Sequence, residues 1–433
     1  MMSEFQELAI AFAAEQQSPA WLADFRRDAA QQWLNRAWPT RKTEAWQYTS
    51  LLPLQKAGVS GWSVAKQPAD IDFVEVDATR LVFVDGIFST ELSDELPAEI
   101  VRFKDANSAQ QDLINRYLGK IVDTERHVFS SLANAWVDDG VLVAVPKSVQ
   151  LQKPVYVVHV STSGVTPTVA NQRLLVVTET GSALTVIEHF ITTDEQQNGF
   201  VNSLSEIHVA DNARVEHYRI NLEQEGLIHI GGVHIDLHRS AHFRGFTIAQ
   251  GSRLKRIDYQ VNHRGEGASL DLQGIYLPRN NQVVDYHTNV QHMVPHCTSS
   301  EVFRGIIADS SRAVFNGRIY IHPHAQKTLA ELSNKNLLTS AKAEIDTKPE
   351  LEIYADDVRC AHGATVSQLN ATALYYLQSR GVSRQEAEVM LSFGFINELL
   401  EQIQSSSVQD YLLPRIARLF GRDNELLQQI HHD

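Results

Sequence analysis

Asp211-Asn212-Ala213-Arg214-Val215-Glu216-His217-Tyr218-Arg219-Ile220 sets a polar corner in front of a run whose character alternates residue by residue. Alternation with period two marks a strand, because successive side chains leave opposite faces. The corner recurs. Gly181-Ser182-Ala183, Asp211-Asn212-Ala213, Arg239-Ser240-Ala241 and Gly267-Ala268 each set a turn residue before a small one, and Ala268-Ser269-Leu270-Asp271-Leu272-Gln273 alternates in turn. Counted from Ala183, the spacings are 30, 28 and 27 residues. A loose period of this length predicts stacked coils, each turning at a Gly, Asp or Asn corner, with Ala or Ser where coils stack tightly. Val, Leu and Ile then fill a core that no single coil could bury. The rival is a sandwich or jelly roll, where turn signals come every ~8–12 residues. The period favours the solenoid.

Working outward, strand-like runs fill residues 152–345 with few plausible helices. Leu81-Val82-Phe83-Val84-Asp85-Gly86 and Leu142-Val143-Ala144-Val145-Pro146 read as earlier strands, the first ending in a turn. Residues 4–36 carry Phe5, Leu8, Ala9, Phe12, Trp21, Leu22, Phe25 and Trp33-Leu34 at helical spacing. After about residue 366 the period is helical again. Ser383-Arg384-Gln385-Glu386 forms a capping-box pattern, and Val389, Phe393, Ile396, Leu400 and Ile403 make one apolar stripe. Ser405-Ser406-Ser407 punctuates, Pro414 sits in or beside a second helix, and Gly421 is expected to end it. The organisation expected is a helical and mixed region over 1–150, a β-solenoid over 151–365 and a helical domain over 366–433. The last either covers the open end of the solenoid or presents a face to another protein.

The chain has 433 residues, of which 43% are hydrophobic, and a formal net charge of −14. That supports a sizeable core and argues against a general nucleic-acid binder, which needs clustered cations. The basic run Arg253-Leu254-Lys255-Arg256 reads as a solvated face. Two cysteines, Cys297 and Cys360, make no disulfide framework and suit a reducing compartment, although one bridge between them stays open. The acidic start has neither a signal-peptide nor a transit-peptide pattern, and no apolar run approaches the ~18–20 residues of a spanning helix. A cytoplasmic protein without membrane attachment is expected. No Gly-x4-Gly-Lys-Ser/Thr loop, Cys-x2-Cys pair or Gly-x-Ser-x-Gly elbow is present, so the chain itself is not expected to bind or hydrolyse a nucleotide.

The sharpest chemistry lies in Asp346-Thr347-Lys348-Pro349-Glu350-Leu351-Glu352-Ile353-Tyr354-Ala355-Asp356-Asp357-Val358-Arg359-Cys360-Ala361-His362-Gly363-Ala364. Residues i and i+2 of a strand point the same way with Cα atoms roughly 6.5–7 Å apart, so Cys360 and His362 can face one metal ion. With two cysteines in the whole chain, this is half a site. The same parity puts Val358 on that face, so the pair is either buried beside it or lies at an edge or interface. Other patterns are weaker. His322, His324 and Glu331 approach a cupin-type metal motif but miss its spacing, and read more simply as turn histidines. His287, His292, His296 and Cys297 cluster in sequence, yet one strand face cannot carry all four. Arg41-Lys42-Thr43-Glu44-Ala45-Trp46-Gln47-Tyr48-Thr49 reads as an aromatic and cationic docking seam.

The segments Val302-Phe303-Arg304-Gly305, Arg312-Ala313-Val314-Phe315-Asn316-Gly317 and Ser333-Asn334-Lys335-Asn336-Leu337-Leu338 lead into the stretch just quoted. With Pro39–Thr49 and Leu377-Gln378-Ser379-Arg380-Gly381, they closely resemble the SufB/SufD family of the SufBCD iron–sulfur assembly complex. The low cysteine count and the Cys-x-His arrangement favour its D-type branch over the longer, cysteine-richer B-type. The resemblance implies a mainly β protein, a right-handed parallel β-helix flanked by N- and C-terminal helical regions. It implies a non-catalytic scaffold that pairs with SufB through the β-helix and holds the SufC ATPase on the C-terminal helices, with a homodimer possible in isolation. His362 would then be a ligand, with Cys360 beside it, for a transient iron–sulfur cluster shared with SufB. The alternatives are a purely architectural subunit and a cupin-like metalloprotein.

Overall fold

A computed structural model describes residues 3–63, 71–162, 166–193, 197–223 and 225–420. Helices α1 (Glu4–Glu15), α2 (Ala23–Asn35) and α3 (Leu52–Gln55) open the chain. Then come β1 (Thr79–Val84), β2 (Ile87–Phe88), β3 (Ile100–Arg102), α4 (Ser108–Tyr117), α5 (Val128–Ala135) and β4 (Val141–Val145). Strands follow one another from there: β5 (Val155–Ser161), β6 (Thr168–Thr178), β7 (Ala183–Thr192), β8 (Asn198–Val209), β9 (Arg214–Asn221), β10 (Gly226–Leu237), β11 (His242–Gln250) and β12 (Leu254–His263). The run continues with β13 (Ser269–Leu277), β14 (Val283–His292), β15 (Thr298–Ile307), β16 (Arg312–Ile321), β17 (Leu329–Leu338), β18 (Glu344–Ile353) and β19 (Arg359–Gln368). Helices α6 (Ala371–Ser379), α7 (Arg384–Glu401) and α8 (Ser406–Leu419) close it. The end expected at Gly421 lies outside the described residues.

Successive strands alternate between two sheets, one ordered β19-β17-β15-β13-β11-β9-β7-β5-β1-β2 and the other β18-β16-β14-β12-β10-β8-β6-β4-β3. Among the described strands only β1–β2 and β3–β4 pair antiparallel. Each coil therefore contributes one strand to each face of a parallel β-solenoid, the fold expected from the period. A sandwich or jelly roll would require antiparallel neighbours, so the same pairing removes the cupin-like alternative.

The repeated corner explains the period physically. Gly181, Asn212, Ser240, Gly267, His296 and Lys327 all adopt positive φ, between 52° and 72°. This left-handed conformation is tolerated best by Gly and Asn. Coils are tied there by backbone bonds from Gly181 to Asp211, Asn212 to Arg239 and Ser240 to Glu266, each 2.9 Å. The next residue of every corner turns inward: Ser182, Ala213, Ala241, Ala268, Cys297 and Thr328 form a column no more than 2% exposed. Ser182 rather than Ala183 starts this column, so its first interval is 31 residues, not 30. Cys297 occupies an alanine position and packs as a small apolar group. Both cysteines are free thiols.

Inward residues of both sheets fill one lumen, including Val215, Phe243, Leu272, Tyr286, Phe303, Phe315 and Leu332. The outer face of the even-strand sheet is covered by the N-terminal region, where Phe5, Trp33, Trp46, Phe129 and Trp136 meet Phe200, Ile228, Ile230 and Leu254. The outer face of the odd-strand sheet is covered by Phe393, Ile396, Leu400, Leu412 and Ile416 of α7 and α8 against Ile187, Ile220, Ile248 and Ile275. Ser383 caps α7 in the predicted box: its hydroxyl accepts from the Glu386 amide at 3.2 Å, and the Glu386 carboxylate accepts from the Ser383 amide at 2.9 Å. The C-terminal helices thus lie along the solenoid rather than over its end. The reading of Arg253–Arg256 as a solvated face holds for Arg253, which is exposed, and fails for the two cations after it. Lys255 points into the lumen and Arg256 outward under the N-terminal region, at 0% and 3% exposure. The Arg256 guanidinium lies 3.9 Å from the Trp46 ring centre and donates to the Ala45 carbonyl at 2.5 Å. The docking seam is therefore present, but its cation comes from the solenoid instead of Arg41 or Lys42.

Candidate metal-ligand pair at the open mouth of the solenoid

Strands β18 and β19 form the last coil, and each is hydrogen-bonded on one side only. Pro349 marks that edge, since a residue without an N–H is tolerated where no outer strand waits for it. Register sets the direction of the side chains. Cys360 stands beside Ala330 and His362 beside Leu332, and both partners belong to the lumen core. Cys360 and His362 therefore share the inward face of β19, but no coil stacks above them. His362 is exposed, whereas Cys360 is half-buried and packs with Val358 and Leu351 on the rim of the core. Both branches of the parity argument hold at once: Val358 belongs to the core, and the pair lies at an edge.

The mouth is apolar inside and charged outside. Ile353 and Val366 face inward yet are 44% and 49% exposed, and Tyr354 beside them is 55% exposed. On the outer face of β18, Arg318 donates to Glu352 at 2.6 Å, and Lys348 lies 2.9 Å from Glu44 and 2.5 Å from Glu350. Immediately below, an amide ladder fixes the last coils. Thr347 donates to Asn334 at 2.8 Å, Asn336 donates to Asn334 at 2.6 Å, and Asn334 donates to the Tyr276 hydroxyl at 2.9 Å. The ladder satisfies polar groups that would be costly in an apolar lumen.

Burial raises the Cys360 thiol above its ordinary pKa, and a backbone bond from Ala330 opposes it in part. The sulfur is therefore protonated near neutrality, and a metal would have to displace the proton. Two donors do not close a tetrahedral site. Among the described residues, no group of three His, Cys, Asp or Glu side chains is arranged to hold a metal ion. A complete coordination shell at the mouth needs donors beyond this pair.

The weaker histidine patterns do not converge. His292 is buried in the lumen, 2.9 Å from the Ser299 hydroxyl and stacked on His263 at 4.3 Å, whereas His287 is on the opposite face, 2.9 Å from Asp285. His296 occupies a corner with φ of 60°. His322 pairs with Gln291 at 3.0 Å while His324 is in a turn. The lumen also holds a charged cluster that the sequence reading missed. Glu188 accepts from Ser205 at 2.7 Å and Arg219 at 3.0 Å, with His217 at 2.8 Å. Glu223 lies 2.7 Å from His229. Its signal was available: Glu188, His217, Arg219, His229 and Lys255 occupy positions in phase with core Val and Ile residues. Further along, Glu301 stands two rungs beneath His362 in the same column, with Leu332 between. Neither of its carboxyl oxygens has a hydrogen-bond partner among the described residues, and burial raises its pKa to about 7.

Comparison with known proteins places this architecture. Residues 159–395 match the family described as SUF system FeS cluster assembly, SufBD core domain, and residues 10–157 match the SufBD protein N-terminal region. The chain is similar to an iron–sulfur cluster assembly SufBD family protein of Synechocystis, 33% identical over 86% of each chain. It is likewise similar to the iron–sulfur cluster assembly protein SufD of Escherichia coli, 32% identical over 90% of each chain. The SufD of Bacillus subtilis is 28% identical over 96% of this chain and 98% of its own. A parallel solenoid flanked by helices, matched along nearly its whole length, belongs to the SufBD family of iron–sulfur cluster assembly proteins.

Proposed function

We propose that this chain is a D-type, non-catalytic scaffold subunit that donates His362, with Cys360 beside it, to a nascent iron–sulfur cluster at an interface with a SufB subunit. The observation that carries this reading is the incomplete donor pair on the unpaired last coil. Exposed Ile353, Tyr354 and Val366 around it offer apolar area to a partner, and the free edges of β18 and β19 offer unpaired backbone groups. The cluster is cargo, transient and shared with SufB. An imidazole in place of a thiolate leaves an iron less tightly held and at a higher potential, which suits a cluster that must leave.

The C-terminal helices would hold SufC. Tyr375 and Tyr376 of α6, at 73% and 57% exposure, favour that helix as the docking face, since large aromatics are common anchors at interfaces. ATP binding by SufC would pull on these helices and open the mouth, so ATP should speed labelling of Cys360 in the full complex. Unchanged labelling would contradict the opening step. The subunit arrangement is tested by co-expressing the chain, tagged, with SufB and SufC of the same organism. Recovery of both, with SufC lost in a Tyr375→Asp/Tyr376→Asp variant that keeps SufB, is the expected result; failure to recover SufB would overturn the interface.

A further inference from the structure

Toward the ends of β8 and β10, two histidines leave the outer face of the even-strand sheet on neighbouring coils. Register sets Asp236 beside His208, and His238 follows two residues after Asp236 on the same face, so the two imidazoles are diagonal neighbours. Both are half-buried, and their ring centres lie 4.5 Å apart with the planes tilted by 58°. Tyr117, the last residue of α4, packs on His208 at 4.7 Å and helps to fix its ring. Neither imidazole has a hydrogen-bond or ion-pair partner among the described residues, and no nitrogen of either is sealed from solvent. The nearest cation, Arg264, is held to Asp236 at 2.6 Å, and Asn262 donates to the same carboxylate at 2.8 Å. Burial, with His238 and Arg264 nearby, lowers His208 to about 4, so the ring is neutral and able to ligate near pH 7. Ring packing accounts for the contact itself. It does not call for two imidazoles whose nitrogens stay unpartnered.

We infer that His208 and His238 form a binding site for a divalent transition-metal ion with cis coordination positions, of the nickel(II) or copper(II) type. Metal–nitrogen bonds of roughly 2.0–2.1 Å put the centres of two imidazoles about 4.5 Å apart when they meet at a right angle on one ion, and about 5.2 Å apart at the tetrahedral angle. The observed 4.5 Å is the right-angle spacing, which square-planar and tetragonal ions adopt and tetrahedral zinc does not. Asp236 is committed to Arg264 and Asn262, and no third His, Cys, Asp or Glu completes a set among the described residues. Water fills the remaining positions, so the ion is held reversibly. In the even-strand sheet β10 and β18 are four strand spacings apart, roughly 19 Å, so the site is separate from the Cys360–His362 pair and does not rest on it.

Calorimetric titration of the untagged full chain with nickel(II) chloride near neutral pH tests the inference. Other donors exist in the chain, Cys360 with His362 and His431 with His432, so binding is compared among variants. A saturable component is expected in the wild type, weakened about tenfold or more in His208→Gln and likewise in His238→Gln. It should be unchanged in Cys360→Ser/His362→Ala and in His431→Gln/His432→Gln. Thermal melting without metal verifies that each variant folds; if His208→Gln does not, His238→Gln decides. No saturable binding in the wild type, or an isotherm that neither His208→Gln nor His238→Gln alters, would overturn the inference. Binding abolished by either of the other two variants would put the ion elsewhere and overturn it as well.

Discussion

At the scale of single residues, exposure separates His362 from the half-buried Cys360. His362 is exposed with no stacked coil above it, so His362→Ala should change folding stability by no more than about 0.5 kcal/mol, measured by urea unfolding. Cys297 fills an alanine slot in the corner column, and Cys297→Ala should leave cluster assembly intact; loss of assembly in that variant would mean the thiol has a role its packing does not reveal. Glu301 provides a pH signature. Its folded pKa, about 7, lies above the usual glutamate value because burial disfavours the charged form. The raised value stabilises the fold fully below the unfolded pKa and is lost as pH rises through 7. Glu301→Gln should therefore be more stable than the wild type at pH 8, by about 2 kcal/mol, and the gap should close toward pH 4.5. A gap independent of pH would show that this carboxyl does not titrate in that window.

At the scale of elements, the corner and the last coil show what the sequence made legible. The repeat of turn residue and small residue announced both the period and the inward column, because only a left-handed corner followed by a small side chain lets coils stack at strand spacing. Ala241→Leu should accordingly cost about 2 kcal/mol by overpacking a position with no exposure, whereas substitutions at the exposed Arg239 should cost far less. The period is blind to one-residue differences in phase, which is why Ser182 and Ala183 were confused. Alternation also names a face without saying what covers it. Leu254–Arg256 reads like the start of any half-solvated strand, yet both of its faces are buried, one by the lumen and one by Trp46 and its neighbours. For the same reason the pair Cys360 and His362 could be placed on one face from sequence, while its position at an uncovered mouth required knowing that β19 is the last rung. Pro349 was the available hint.

At the scale of the whole molecule, the solenoid is flanked on both outer faces, and among the described residues no further strand pairs with its last coil. Several histidines are buried, in the lumen or between the odd-strand sheet and α8. Burial lowers His159 and His263 to about 4 and His189 to about 3, and lowers His292 as well. Groups with depressed folded pKa values stabilise the fold above their unfolded pKa and lose that contribution as pH falls. The urea midpoint should therefore drop steadily from about pH 6.5 toward pH 4, the opposite sign to Glu301. A flat profile over that range would mean these rings are not buried in the neutral form. The chain is co-expressed with SufB and SufC, the complex is loaded anaerobically, and cluster absorbance with iron and sulfide content is compared between wild type and His362→Ala. Loss of the cluster from an intact complex is the predicted result; wild-type cluster content in the variant would contradict the ligand role and leave the chain as architecture alone.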